Sequence, residues 1–378
     1  MKTENKKPHD SGINVKKAFM LLVGAYFLQK SKKEFRGVHI FSKEPEACTV
    51  IRETLLATKK VAEWEHERDV TKPQSFPIVP FYMIADCGSE SFNMPFPYKF
   101  TFEENPMGAD ELIEKFLAKN KTVSYRPATD FSKVTVTPFN VRVSKLLKMK
   151  QASFEEAWAC ISKGKCTLYF DNTWTKEDYT SIMTDEAVEA LVEGSSFGSM
   201  FMSNYKKYYI TAGFHAAPFK SLATQMTEAK DWIFLDPAVA KKLLPVDYNV
   251  KVAVMNPMAQ DHKETMKYTP RYFVRTNAGE GIYFPEWWYH SVYTEPGVNI
   301  MTNWRMPATL INGFQTSPMI MKQKIVYFIQ FGFKEYILPD WFVDWAVARA
   351  HDSQQETVHQ MYDYRKSIFE ANAGKRYL

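Results

Sequence analysis

From Cys166 onward the chain breaks into short β-prone runs: Thr167-Leu168-Tyr169-Phe170, Ser199 to Tyr209, Ile233-Phe234-Leu235, Tyr272-Phe273-Val274, Ile282-Tyr283-Phe284 and Val298 to Thr302. Gly, Pro and Asn turns separate them, a rhythm that fits a jelly-roll or barrel better than a helical bundle or an alternating α/β fold. Aromatic residues make up 15% of the chain, with 28 Phe, 20 Tyr and 9 Trp, and this bias also favours sheets. At 378 residues, 45% of them hydrophobic and 24% charged, the chain can bury a sizeable globular core.

The N-terminal half is mixed. Residues 1 to about 12 are polar and lysine-rich. The apolar run Ala18 to Leu28 is shorter than the roughly 20 residues a bilayer-spanning helix needs, and no small-residue cleavage site follows it. It reads as a core or surface-docking helix in a cytoplasmic protein, with membrane association left open. A short strand is expected at Gly37 to Phe41 and a helix at Glu46 to Glu67, whereas the proline-rich stretch Pro73 to Pro97 reads as irregular edge strands or loops. Further helices are expected at Ala109 to Lys119 and at Ser153 to Ser162, where Ser153 and Glu156 have capping-box spacing. Asp236-Pro237 has the look of an N-cap followed by proline at the first helical position, opening a short helix to Leu244. After Pro307 the pattern turns helical, with Val358, Met361, Tyr362, Arg365 and Phe369 along one face. The expected organisation is an N-terminal tail and helical arm over 1–36, a β domain with helical decorations over 37–310, and a helical region over 311–378.

The net charge of +5 is mild and the lysines are scattered, so no nucleic-acid partner is expected. The four cysteines, Cys48, Cys87, Cys160 and Cys166, form no Cys-x-x-Cys pair. Free thiols in a reducing compartment are expected rather than a zinc site or a disulfide framework. One glycosylation sequon, Asn120-Lys121-Thr122, carries little weight alone.

Three stretches carry chemistry. The first is His215-Ala216-Ala217, the second has Lys230 fifteen positions after His215, and the third runs from Gly281 through Pro285-Glu286-Trp287-Trp288-Tyr289 to His290. Neutral imidazole is a good ligand for Fe(II). A histidine taken alone is more often a hydrogen-bonded core residue, and Lys230 taken alone could pair at the surface with its neighbours Glu228 and Asp231. Taken together, the three stretches resemble the cupin-like, JmjC-type Fe(II)/2-oxoglutarate oxygenases. Their pattern is His-x-Asp or His-x-Glu, a lysine about fifteen residues later, and a strand in which glycine precedes Pro-x-x-Trp-Trp-His. The tryptophan pair here falls one place early. The resemblance implies a mainly β fold, a double-stranded β-helix core with flanking α-helices at both ends. It implies His215 and His290 as metal ligands and Lys230 as the partner of the distal carboxylate of 2-oxoglutarate. It also makes Thr211, Asn303 and Ser221 candidates to hydrogen-bond the cosubstrate, and the C-terminal helices a candidate homodimer contact.

The departure from that pattern is Ala217, which stands where the acid ligand should be. The same replacement, by alanine or glycine, resembles the iron/2-oxoglutarate halogenases, where chloride or bromide takes the vacated position. The implied cofactors are Fe(II), 2-oxoglutarate, O2 and chloride or bromide. Two other readings stay open: a hydroxylase whose acid comes from elsewhere, such as Glu228, Asp231 or Glu286, and a non-catalytic binding or scaffold module. Trp288, Phe219 and Arg305 are candidates for the wall of a substrate pocket. Arg271, Arg275 and Arg305 could meet an anionic or carrier-linked substrate or simply line the solvent face, and nothing separates a free small molecule from a lipid, a peptide or a nucleotide.

Overall fold

In a computed structural model the described residues are 45–102, 107–128, 149–217, 219–240, 253–255 and 268–307, and all of them fall within one unit of the chain. The expected arm at 18–28, the strand at 37–41, the end of the helix opened by Asp236 and the C-terminal helices lie outside these residues.

Alternation sets the sheets. Along β10 (Tyr272–Thr276), Tyr272, Val274 and Thr276 are buried while Phe273 and Arg275 face outward, the one-sided pattern of an edge strand. Its neighbour β8 (Lys230–Leu235) has almost every residue covered, because strands flank it and both faces are packed. The five-stranded sheet runs β10, β8, β12 (Tyr289–Thr294), β6 (Tyr209–Ala216), β9 (Ala253–Met255). The eight-stranded sheet runs β1 (Tyr98–Thr101), β11 (Glu280–Phe284), β7 (Phe219–Gln225), β13 (Gly297–Pro307), β5 (Phe197–Tyr205), β4 (Cys166–Asp171), β2 (Thr122–Pro127), β3 (Lys150–Ser153). From β5 to β8 the chain crosses from one sheet to the other at each step, and from β10 to β13 it crosses back in the same way. The pairings within the sheets are antiparallel, and the result is the expected double-stranded β-helix with flanking helices. Where β11 lies against β1, Gly281 faces Phe100, and a Cβ there would stand 2.1 Å from the phenyl ring. Glycine at 281 therefore makes room for an aromatic in the core.

Helix α1 (Glu46–Arg68) and helix α3 (Ala109–Lys119) fall where the sequence places them, and α4 (Phe154–Ile161) is capped by Ser153, whose hydroxyl accepts the Glu156 N–H at 3.2 Å. Asp236 caps the turn beginning at Pro237, accepting the Ala238 N–H at 2.6 Å. Two expectations are corrected. The run from Ser199 to Tyr209 is not one strand, because Lys206-Lys207-Tyr208 turns the chain from β5 into β6. The stretch from Pro73 to Pro97 is not all irregular: it contains α2 (Phe81–Cys87) and a 3-10 turn over Gly88–Asn93. The prolines bracket these elements instead of interrupting them, since Pro80 stands just ahead of the first turn and Pro95 comes after the last. This segment closes the core. Phe76 packs within 5.1 to 5.8 Å of Phe96, Phe234, Tyr272 and Trp288, and the Tyr283 hydroxyl lies 3.1 and 3.0 Å from the carbonyls of Phe92 and Met94.

The cysteines give the third correction. Cys48 in α1 is bridged to Cys87 at the end of α2, and Cys160 in α4 to Cys166 at the start of β4, with Cα separations of 5.1 and 5.4 Å that suit a disulfide. The expectation of free thiols fails because sequence spacing does not reveal which helices pack together. The first bridge closes a loop of 39 residues and the second a loop of 6. By loop-closure entropy they are worth about 4 and about 2 kcal/mol respectively. Alkylation of the unfolded, unreduced protein should therefore label none of the four cysteines, and reduction should lower the Tm. Recovery of alkylated Cys48 or Cys87 without reductant would contradict the pairing.

Candidate active site

The register of β12 brings the two motif histidines together. In the five-stranded sheet β12 lies between β6 and β8, so His290 stands opposite His215 on one side and Phe234 on the other. The two imidazole centroids are 4.2 Å apart. Just beyond this pair the β6–β12 register shifts, a bulge of the kind that re-aims side chains beside binding sites.

His290 is 6% exposed, and its Nδ1 is 2.9 Å from the Trp288 carbonyl oxygen. The carbonyl can only accept, so Nδ1 carries the proton and Nε2 keeps its lone pair. Burial, reinforced by the neighbouring His215 and by Arg305, holds the His290 pKa well below the usual value, against the opposing pull of the Trp288 bond. The ring stays neutral, the state a metal ligand needs. Phe284, Phe234 and Trp232 pack around it at 4.7, 5.5 and 6.0 Å between centroids.

Both histidines line a cavity of about 250 Å³ between the two sheets, together with Lys230, Ala217, Ser221 and Asn303. Lys230, the first residue of β8, is 5% exposed, and its Nζ lies 3.7 Å from the Met301 sulfur. No carboxylate lies within ion-pair distance of it among the described residues. Burial alone pushes its pKa down to about 7. Asp231, one residue on, points away from the cavity, where it accepts the Tyr208 hydroxyl at 2.7 Å and pairs with Arg275 at 3.1 Å. The surface pairing considered for Lys230 is thus not formed. Asn303 is 4% exposed, and its Oδ1 is buried without a hydrogen-bond partner. A buried ammonium and an unsatisfied amide oxygen lining one cavity are costly unless a ligand completes the site.

Ala217 lines the cavity, and its carbonyl accepts the Trp287 N–H at 3.0 Å. Trp287 adopts φ 64°, in the left-handed region, so this bond secures the turn that leads into His290. Of the three carboxylates considered as replacement ligands, Glu228, Asp231 and Glu286, none lines the cavity, and no Asp or Glu does so among the described residues. No group of three or more His, Cys, Asp or Glu placed to hold a metal occurs among them either.

The proposed pocket residues Trp288, Phe219 and Arg305 all line the same cavity. Arg275 is engaged with Asp231 and Glu295, and Arg271 donates to the Thr71 carbonyl at 2.7 Å, so neither serves the cavity. Thr211 lies on β6, with its side chain outside what the structure describes. Sequence reasoning missed the opposite wall, formed by Arg126, Tyr169, Phe201 and Met301. Alternation along β13 was the available signal for Met301, which shares a face with Asn303 and Arg305.

The donor set fits two of the protein positions of an iron site, and the Lys230 ammonium and the Asn303 amide fit a carboxylate-bearing cosubstrate. Two antiparallel sheets wound as a double-stranded β-helix, with paired histidines and a buried lysine between them, define a cupin-type protein. Residues 98–309 match the model of the cupin-like domain family, and the chain belongs to that family, which includes Fe(II)/2-oxoglutarate oxygenases. No curated protein shows a significant match to the chain. No described helix is long and apolar enough to cross a membrane.

The buried lysine gives a test with a defined sign. Its folded pKa of about 7 lies below the ordinary 10.5, so folding favours the neutral amine. Stability of the ligand-free protein should rise with pH between about 7 and 10.5 and be flat below that window. Lys230→Met should raise the unfolding free energy at neutral pH, by up to about 5 kcal/mol, and with it the Tm, and should abolish the thermal stabilisation conferred by 2-oxoglutarate. A destabilised Lys230→Met variant that still responds to 2-oxoglutarate would contradict this placement.

Proposed function

We propose that the chain is an Fe(II)/2-oxoglutarate-dependent radical halogenase, which replaces the hydrogen of an unactivated C–H bond by chloride or bromide. The observation that carries the reading is Ala217 in the wall of a cavity that holds His215 and His290 and no carboxylate among its described residues. His215 and His290 would hold the metal through neutral imidazoles, with the Trp288 carbonyl fixing the His290 tautomer. Lys230 would take the distal carboxylate of 2-oxoglutarate, and Asn303, Ser221 and Thr211 would supply hydrogen bonds to the cosubstrate. Iron(II), 2-oxoglutarate and O2 supply, when bound, the oxidising chemistry that removes a hydrogen atom from carbon. The methyl group of Ala217 leaves room where the acid would stand, and a halide there restores the lost negative charge. Overall, substrate C–H, halide, 2-oxoglutarate, O2 and a proton give C–halogen, succinate, CO2 and water. The aromatic wall of Trp288, Phe219 and Phe284 excludes water from the reacting carbon. The substrate would be a small molecule, free or carrier-linked.

A hydroxylase with a displaced acid is less well supported, since Glu228, Asp231 and Glu286 all lie off the cavity wall. A non-catalytic two-histidine module is the second reading, favoured by the absence of a three-ligand metal group among the described residues.

The anaerobic protein with Fe(II) and 2-oxoglutarate should develop a charge-transfer absorption band that shifts on addition of chloride or bromide. Ala217→Asp should make that band indifferent to halide. A band that is absent under all conditions would favour the non-catalytic module, and a halide-indifferent band in the parent protein would remove the case for halogenation.

A further inference from the structure

All four cysteines of the chain are consumed in two bridges, Cys48–Cys87 and Cys160–Cys166. Structural disulfides form and persist in oxidising surroundings, such as the lumen of the secretory pathway or the outside of the cell. The reducing compartment expected from cysteine spacing went with free thiols, and the pairing removes its ground. In an oxidising lumen a second feature of the chain gains meaning. Asn120-Lys121-Thr122 is the single Asn-x-Ser/Thr triplet in the sequence.

The fold presents that triplet at the surface. Helix α3 ends at Lys119, and Asn120 follows as its cap in the left-handed region, at φ 38° and ψ 46°, with its N–H donated to the Phe116 carbonyl at 2.9 Å. Asparagine tolerates this conformation, so the cap by itself accounts for the residue. The carboxamide adds a separate constraint. Its Oδ1 accepts the Glu155 N–H at 3.0 Å in the first turn of α4, which fixes the oxygen toward the protein. Nδ2, the other branch of the amide, has no hydrogen-bond partner among the described residues, and it is the atom that would carry a sugar. Asn120 and Thr122 are both exposed, as are Lys119, Glu155 and Glu156 around them. Thr122 opens β2 opposite Ser153 of β3, the last strand of the eight-stranded sheet. None of these residues lines the cavity that holds the histidines, so a large group here leaves that lining untouched.

We propose that Asn120 is an N-glycosylation site and that the chain matures in an oxidising, glycosylating compartment. The exposed sequon and the two bridges are independent observations that require the same surroundings. The co-reactant is an oligosaccharide joined through its anomeric carbon to a polyprenyl pyrophosphate. Asn120 Nδ2 forms a bond to that carbon, the bond from the carbon to the pyrophosphate oxygen breaks, the pyrophosphate leaves with the electron pair, and the amide nitrogen gives up one proton. The glycosylated amide keeps its carbonyl, so the bond from Glu155 N–H to Oδ1 survives the modification.

The full-length chain produced in eukaryotic cells tests both halves of the proposal. Peptide N-glycosidase should shift the denatured protein to lower mass in a single step and leave aspartate at position 120 in the peptide map. A non-reducing map of the same material should show both bridges. Asn120→Gln and Thr122→Ala should each abolish the mass shift, whereas Thr122→Ser should retain it. The mass is read on denatured protein from whole cells, so a variant that folds poorly still reports. A role for Asn120 as a helix cap alone would change the Tm of the variants and leave their mass where the parent's lies. Unmodified Asn120 in the recovered peptide, a shift that survives Asn120→Gln, or alkylation of the cysteines in cells without reductant would each overturn the proposal.

Discussion

The placement of β12 between β6 and β8 is the constraint from which the site follows. Antiparallel pairing fixes both neighbours at once, so His290 cannot face His215 without also lying beside Phe234. A slip of one residue along either pairing would turn the imidazole to the other face of the sheet. Pairing on both sides makes that slip costly, because it breaks two ladders and uncovers Tyr289 and Trp288, which the present register buries. Two histidines 75 positions apart in sequence are thereby brought to 4.2 Å between centroids by backbone hydrogen bonds alone.

The two sheets divide the work by charge. The five-stranded sheet supplies the two imidazoles and the ammonium, while the eight-stranded sheet supplies Ser221, Asn303 and guanidiniums stacked on aromatic rings. Ionisable groups buried in a small cavity between layers that are otherwise apolar carry a desolvation cost. That cost is visible in Lys230, whose pKa has fallen to about 7, and in Arg305, whose pKa burial pushes down to about 10. A fold selected for stability alone would fill this space with leucine. A buried ammonium in such a space is costly without a ligand, a cost that the proposed cosubstrate at Lys230 would offset.

The sequence made the near-neighbour chemistry legible. His215, Ala217 and Lys230, and Pro285 with His290, each sit at short fixed spacings, and short spacings survive into a strand as known positions on known faces. The jelly-roll rhythm was readable for the same reason, since each run of alternating residues needs only local information. What depends on which distant elements meet was not readable. Cys48 and Cys87 become neighbours only when α1 packs on α2, and Arg126 reaches the cavity only because β2 is added beyond β4 at the far end of a sheet. The segment from Pro73 to Pro97 misled for a different reason: prolines at the borders of a short helix and prolines within a loop look alike in composition.

Ala217 shows how a position can stay fixed after its side chain has gone. Its carbonyl accepts the Trp287 N–H, and Trp287 holds a left-handed conformation that costs a non-glycine residue on the order of 1 kcal/mol. None of this geometry involves the Ala217 side chain. The bond joins the end of β6 to the turn before β12, so the Cβ of residue 217 keeps its place relative to both histidines whatever group it carries. Collapse of the space is opposed from the other side too, where Phe284, Trp288 and Phe219 are each anchored in packed strands or by rings behind them. The cavity is walled mainly by aromatic and aliphatic side chains, with the two imidazoles and Lys230 among its few polar groups. On the proposed reading, alanine at 217 would change what fills the position more than where the position lies.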